Sequence, residues 1–377
     1  MKEKKIGRTI ILIAFAIILC SSKGIWFLTE KYFDAANYEN RQLATRPVLT
    51  IDNYGTFANE YTAYFNDNLQ FRNKLVTLNS LVDYFVFDQS ASKDVTKGED
   101  GWLFYNETLS DYQGTNLYTE ETLESIKNDV LATQGYFNDK GIEFVIFIGP
   151  NKNTIYGEYM PSYIEMNSEQ SRVQQMVDYL KENTDVKIIF PVEELQDVKE
   201  EHPELKQYFK LDTHWNYMGG YWASKPLLRE LGVEPIEFND LNYYQINKPD
   251  FSWNGYDEAK MLGLANILDS DINYQISNDV IETITYDGFV PDNQDAFSGL
   301  SRVYSSAQDN RKVFFSRDSF GEAITPYIAA SFSEMYSIHH GSMKRSQIDE
   351  EQPDIFIFEA VERSDFRGCF NYINWAE

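Results

Sequence analysis

The sequence predicts an α/β fold, a parallel sheet with helices on both faces, preceded by an N-terminal membrane anchor. Two observations carry the fold: short, continuously apolar runs, and amphipathic helical stretches that alternate with them. A third, a basic start followed by an apolar run, carries the anchor. The chain has 377 residues, 43% hydrophobic and 15% aromatic, enough to bury a large core.

Residues 1–9 carry Lys2, Lys4, Lys5 and Arg8 against Glu3, and an apolar run begins at Ile10. This is the layout of a secretory signal or an uncleaved anchor. Ile10–Cys20 is short for a span, but continuing to Leu28 suffices if Lys23 snorkels. No small-x-small cleavage site stands around residues 18–24, so an anchor over 1–28 is expected, with the rest extracytoplasmic. Leu19-Cys20 also raises a lipoprotein reading, which Ile17 and Leu19 fit poorly. Residues 29–100 read as an extension packing on the main domain. Within it Phe57, Tyr61, Tyr64, Phe65, Leu69, Phe71 and Leu75 recur at helical steps.

The main domain, 101–377, follows turn chemistry at Gly98–Gly101. Thr119 opens a helix to about Asp139, with Gly141 past its end. Then come a strand at Glu143–Ile148, a helix from Ser168 to about Asn183 and a strand at Lys187–Phe190. A helix is expected over about Asn216–Leu231 despite Gly219, Gly220 and Pro226. Further strands are expected at Lys312–Phe315, Glu334–Ile338 and Asp354–Phe358, with a helix at about Glu322–Phe332. Residues 236–310 break the alternation and read as an insertion. In such sheets the chemistry lies just past the carboxyl ends of the strands. Here those loops begin at Gly149–Lys152, Pro191, Arg317–Ser319, His339–Gly341 and Glu359–Arg363.

Composition narrows the function. A formal charge of −26, from 33 basic and 59 acidic residues, argues against a nucleic-acid partner. Two cysteines, Cys20 and Cys369, exclude a disulfide framework and a cysteine zinc site. No phosphate-binding loop or dinucleotide fingerprint occurs, and Asp292 and Asp295 lack calcium-loop spacing. Neither a metal nor a cofactor is expected.

Two loops carry chemistry. Ser316-Arg317-Asp318-Ser319-Phe320-Gly321 follows a strand and opens a helix, which exposes a serine hydroxyl beside first-turn N–H groups. Leu211-Asp212-Thr213-His214-Trp215-Asn216 holds an Asp two residues before a His, a spacing that can fix the imidazole's tautomer for work as a general base. Each pattern alone is also a helix cap or a surface ion pair. Together, at sheet-edge loops of one α/β chain, they suggest Ser319 as nucleophile, His214 as base and Asp212 as its orienting carboxylate. His339 and His340 are competing bases without an Asp two residues before them, and His202 reads as a solvated loop residue. Lys152 is either an ordinary surface lysine or a cleft residue that holds an anionic sugar or orders a loop. Trp215, Tyr156 and Tyr327 are core aromatics or carbohydrate-stacking rings.

Arg317–Gly321 resembles the Gly-Asp-Ser nucleophile block of SGNH hydrolases, and Asp212–Trp215 resembles their Asp–His block. The Asp–His block here precedes the serine. That order is similar to the SGNH-like domain of the alginate O-acetyltransferase accessory proteins and the DHHW family, which look like circular permutations of the fold. Glu39–Arg41 with Arg46-Pro47, Phe65–Asp67 with Phe71-Arg72, Gly98–Tyr105, Pro150–Lys152 and Phe358–Arg363 extend the resemblance over most of the chain. It implies an SGNH-like domain over 101–377, with Gly341 matching the oxyanion glycine. No Asn ends the last strand, so Arg363 or a residue from the N-terminal half would replace that donor.

By this resemblance the chain is an extracytoplasmic, serine-dependent O-acetyltransferase or acetylesterase-like enzyme acting on a cell-surface polysaccharide through an acetyl-enzyme. It also implies a membrane-bound O-acyltransferase partner as acetyl donor. The alternative, supported by Arg317 in place of glycine and by the absent Asn, is a non-catalytic polysaccharide-assembly or glycan-binding protein.

Overall fold

The computed structural model describes Ile13 and residues 43–68, 72–168, 170–247, 256–287 and 301–370. Apart from Ile13, the expected anchor lies outside them. Among the described residues no helix is long and apolar enough to cross a membrane.

The chain divides into two compact units, Met1–Val95 with Asn254–Leu268, and Thr96–Trp253 with Asp269–Glu377. In the first, α1 (Phe57–Asp67) and α2 (Arg72–Phe85) replace the one helical face read from residues 57–75. Tyr61 and Phe65 remain 43% and 54% exposed, so the rings that set the periodicity do not form a core. Leu69 and Phe71 lie outside the described residues.

The second unit is built on a seven-stranded sheet. The strand β1 (Val95–Lys97) pairs with β2 (Leu103–Tyr105) in a separate two-stranded sheet, and α3 (Leu109–Tyr112) and α4 (Glu120–Asn138) follow. Thr119 caps α4 by accepting from the Thr122 N–H. Then come β3 (Glu143–Gly149), α5 (Lys152–Ile155), α6 (Arg172–Asn183), β4 (Lys187–Ile189), α7 (Val192–Glu201) and α8 (Tyr217–Glu230). The segment read as an insertion contributes a hairpin of β5 (Asn242–Ile246) and β6 (Asn273–Ser277), then β7 (Thr285–Asp287) and β8 (Ser301–Tyr304). Between the hairpin strands, α9 (Asp257–Met261) belongs to the first unit. The chain continues through β9 (Asp309–Arg317), α10 (Gly321–Ala329), β10 (Phe332–His339), α11 (Arg345–Glu351) and β11 (Ile355–Val361).

The sheet order is β4-β3-β11-β9-β10-β8-β7. The first five strands are mutually parallel, whereas β8 pairs antiparallel with β10, and β7 with β8. The sheet is therefore mixed, which corrects the all-parallel expectation: the insertion adds an antiparallel edge. Counting from β9 and wrapping to the front of the chain gives the order 2-1-3-4-5, a doubly wound arrangement whose switch point lies between β9 and β11.

Side-chain alternation divides the core. Val145 and Phe147 of β3 face one cluster, with Val313, Phe315, Ile357 and the α8 and α10 residues Met218, Ala223, Ile324 and Ile328. Phe144, Ile146 and Ile148 face the other, with Ile126, Val130 and Phe137 of α4 and Val173, Val177 and Leu180 of α6. Both faces are buried, so the strands read as continuous apolar runs.

Gly219 and Gly220 sit inside α8 for a steric reason. A Cβ at Gly219 would lie 2.2 Å from the Gln207 carbonyl oxygen, and one at Gly220 would lie 2.3 Å from that of Ala323. The pair lets α8 touch both the chain before His214 and the helix after Ser319. Asn216 caps α8, its side-chain oxygen accepting from the Met218 and Gly219 N–H groups.

Candidate active site

Ser319 lies just past β9, exposed, with its hydroxyl 2.7 Å from His214 Nε2. On the other side of the ring, His214 Nδ1 is 2.6 Å from Asp212 Oδ1. Asp212 is fully buried, and the same oxygen accepts from the His214 backbone N–H at 3.1 Å. The two loops singled out in the sequence thus meet in one hydrogen-bonded series.

Each loop is held by its own sequence. Asp318 staples the serine turn: Oδ1 accepts from the Phe320 N–H and Oδ2 from the Val361 N–H at the end of β11. The Asp318 N–H donates to Oε2 of the buried Glu359. Burial, then the charge of Asp318, raises the Glu359 carboxyl well above its usual range. Arg317 packs against Gly321, where a Cβ would lie 2.6 Å from the Arg317 Cβ. It donates to Ser337 Oγ and to the Asp318 carbonyl. Room for an arginine in place of the family's glycine therefore comes from a glycine four residues on.

Lys152 is buried, and its ammonium donates to the Asp212 carbonyl at 2.7 Å and the Lys210 carbonyl at 3.3 Å. Of the readings open for it, the structure supports ordering of the His214 loop; a surface lysine is excluded. Asp271, pushed up to about 6 by burial, accepts from the Leu211 N–H on the same loop. The Trp215 indole N–H donates to the Phe320 carbonyl at 2.8 Å. The neighbour of the histidine is thereby bonded to the neighbour of the serine, which sets the register between the loops.

Trp215 and Tyr327 are both buried. The Tyr327 hydroxyl donates to the Tyr217 carbonyl, and the Trp215 ring packs against Phe320 and Phe147. These rings belong to the core, and the stacking alternative is corrected by their burial. Tyr156 is likewise fully buried.

Gly341 lies past β10 as expected, but its N–H donates to His339 Nδ1 at 3.1 Å. In this conformation it is not directed at an oxyanion, a correction to its expected use. Arg363 places its guanidinium 5.1 Å from the Phe320 ring centre and 6.0 Å from that of Tyr105. It therefore borders the serine loop. His339 and His340 are partly buried, and burial lowers both below the usual histidine value. No hydrogen bond of theirs reaches Ser319 among the described residues.

A small cavity of about 70 Å³ opens beside Ser319 and His214, lined also by Trp215, Tyr217, Asn273 and Ala323. Asn273 is a residue the sequence did not point to. Its Oδ1 accepts from the Tyr274 N–H at 2.9 Å and the Tyr217 N–H at 3.4 Å. That fixes the side-chain amide in the cavity wall. Asn273 opens β6 inside the insertion, far from both reactive loops in sequence, and no local pattern marks it.

A family model described as the SGNH hydrolase-like domain of the acetyltransferase AlgX matches residues 95–285. Among solved structures, a DHHW family protein from Eubacterium siraeum is 16% identical. It matches 75% of this chain and 95% of its own at a TM-score of 0.52. PatB1 of Bacillus cereus, in a structure with a sulfonyl adduct, is also 16% identical. It matches 74% of this chain and 99% of its own at a TM-score of 0.52. At that identity both likenesses speak to the fold alone. No curated protein matches the sequence.

Proposed function

The chain belongs to the family of SGNH hydrolase-like domains of the acetyltransferase AlgX type, and from that premise we propose that it is a polysaccharide O-acetyltransferase working through an acetyl-Ser319 enzyme. The observation that carries this reading is the series Asp212–His214–Ser319, with separations of 2.6 and 2.7 Å. His214 Nε2 takes the proton as the Ser319 oxygen attacks the acetyl carbonyl of a donor. The same proton then passes to the donor's leaving oxygen. In the second half, Nε2 takes a proton from a sugar hydroxyl as that oxygen attacks the ester carbon, and gives it to the Ser319 oxygen as the ester bond breaks. Asp212 holds the ring through Nδ1 and balances the imidazolium.

Negative charge on the carbonyl oxygen needs donors in place beforehand. The Ser319 N–H and the Asn273 side-chain amide are the groups this structure offers at the cavity, with Arg363 beside the Phe320 ring. A space of about 70 Å³ beside Ser319 and His214 is large enough for an acetyl group. The same proposal places the domain outside the cytoplasm, tethered by residues 1–28, and supplied with acetyl by a membrane-bound O-acyltransferase.

Incubation with p-nitrophenyl acetate tests the reading. Acetyl added to the intact mass, mapped to Ser319 and transferred faster to glycan than to water, is expected. An acetyl group on another residue, or turnover undiminished in Ser319→Ala, would sink it. A sulfonyl fluoride offers a second probe, given the adduct in the PatB1 structure.

A further inference from the structure

A larger cleft, with a volume of about 510 Å³, opens beside α5 and α7. Thr154, Ile155 and Gly157 line it from the chain after β3, Phe190 and Val192 from the chain after β4. Both strands run parallel to β9, so the cleft opens on the same edge of the sheet as Ser319. It is two to three strands away, about 10–14 Å at ordinary strand spacing. Arg363, at the end of the intervening β11, lies between them in sheet order. The volume falls within the range of sites that hold small ligands.

We propose that this cleft binds the acceptor glycan, and that the glycan is a neutral one. This rests on the acetyltransferase reading above. The lining offers uncharged hydrogen-bonding groups beside apolar surface, the mixture that a sugar's hydroxyls and C–H faces match. Gln196 uses its amide N–H on the Thr154 and Ile155 carbonyls, at 3.1 and 3.2 Å, and keeps Oε1 as an acceptor. Gln174 donates its amide to Asp178 and likewise keeps Oε1. The Thr154 hydroxyl donates to Glu362 at 2.6 Å and can accept from a sugar. Tyr112, whose hydroxyl donates to the Gly157 carbonyl at 3.3 Å, adds an aromatic ring to the lining.

Charge decides the class of glycan. Among the described residues, the ionisable carboxyls in the wall are Asp111 and Glu158, and no Lys, Arg or His lines the cleft. The cations behind them are committed: Arg172 lies 3.3 Å from Asp111, and Lys199 lies 3.1 Å from Glu158. Each carboxylate is matched by its own cation, so the wall offers a uronate chain no positive charge to pair with, on a molecule of charge −26. Carboxylates accept readily from the hydroxyl groups of a neutral sugar.

The test is calorimetric titration of the full-length Ser319→Ala protein with three hexasaccharides, a neutral glucan, an N-acetylhexosamine oligomer and a hexauronate. At least one neutral oligomer should bind, and the uronate should bind more weakly by about tenfold or more. Gln174→Ala and Gln196→Ala, checked by circular dichroism, should each weaken neutral binding about tenfold while leaving p-nitrophenyl acetate turnover in the Ser319 enzyme within about twofold. Glu158→Lys should narrow the gap between uronate and neutral chains. Preferred uronate binding, no glycan binding, or neutral binding unmoved by both glutamine variants would overturn the inference. Absent ester turnover with neutral binding intact would remove the acetyltransferase reading and leave the cleft. Turnover with binding unmoved by the glutamine variants would do the reverse.

Discussion

At His214 the two contacts are compatible with one neutral tautomer, in which Nδ1–H donates to Asp212 and Nε2 accepts from the Ser319 hydroxyl. The three side chains therefore work as a unit, and their removal should not be additive. Ser319→Ala and His214→Ala are each expected to abolish most p-nitrophenyl acetate turnover, and the double variant should be little worse than either. Normal turnover in His214→Ala, with loss in His340→Ala, would move the base to the other loop. Asp212→Asn tests the tautomer. The isosteric amide presents an N–H as well as an oxygen, so the ring is no longer forced to expose a bare Nε2. By analogy with serine hydrolases, kcat should fall by roughly three to four orders of magnitude. A fall of less than tenfold would show that Asp212 only holds its loop. Glu359 has a different place: it touches Asp318, not Ser319, and supports the turn on which the nucleophile stands.

Two helices, α8 and α10, carry that support from residues to elements, because they meet where both reactive loops begin and end. Gly220→Ala pushes a Cβ against the Ala323 carbonyl at 2.3 Å and the Ala323 Cβ at 2.9 Å. The expected loss is about 1–3 kcal/mol, measured by urea unfolding, together with a drop in kcat as α10 and the serine shift. Gly135→Ala is the control, since nothing lies within 4 Å of its Cβ position in α4. It should be neutral or stabilising by up to about 1 kcal/mol, with unchanged turnover. A Gly220→Ala protein as stable and active as wild type would mean that the helices have room to part. The same elements show what the sequence could disclose. Strands β3, β9, β10 and β11 were legible because burial on both faces writes itself as an apolar run. The hairpin and edge strands were not: Tyr243 and Tyr244 of β5 and Tyr286 of β7 point to solvent, so no alternation survives. Asp212, His214 and Ser319 were legible because each sits in a short motif. Asn273 and the Trp215–Phe320 bond were not, being products of chain segments that meet only after folding.

Across the whole molecule, burial of carboxyl groups near the reactive edge has one consistent direction. Asp271, Glu359 and Glu362 are all raised, with desolvation the leading cause in each. An acid whose folded pKa exceeds its unfolded value stabilises the fold fully below the unfolded value. That contribution is lost as pH climbs through the folded one. Glu362 provides the cleanest test, because it is fully buried and pushed up to about 7 from an ordinary 4.5. The nearby charge of Asp111 acts in the same direction as burial, while bonds from Thr154 and the Asn151 N–H pull the other way. In the wild type, the Glu362 contribution to stability should therefore decline between about pH 4.5 and 7 and level off above. Glu362→Gln keeps an oxygen for the Asn151 and Thr154 donors and removes the ionisation. The variant should match the wild type near pH 4.5 and exceed it at pH 8, by on the order of 3 kcal/mol if the whole shift is expressed. Urea midpoints at the two pH values give that difference directly. Parallel curves for the two proteins would mean that Glu362 keeps the same proton affinity on unfolding, and that its burial is relieved by water within the fold.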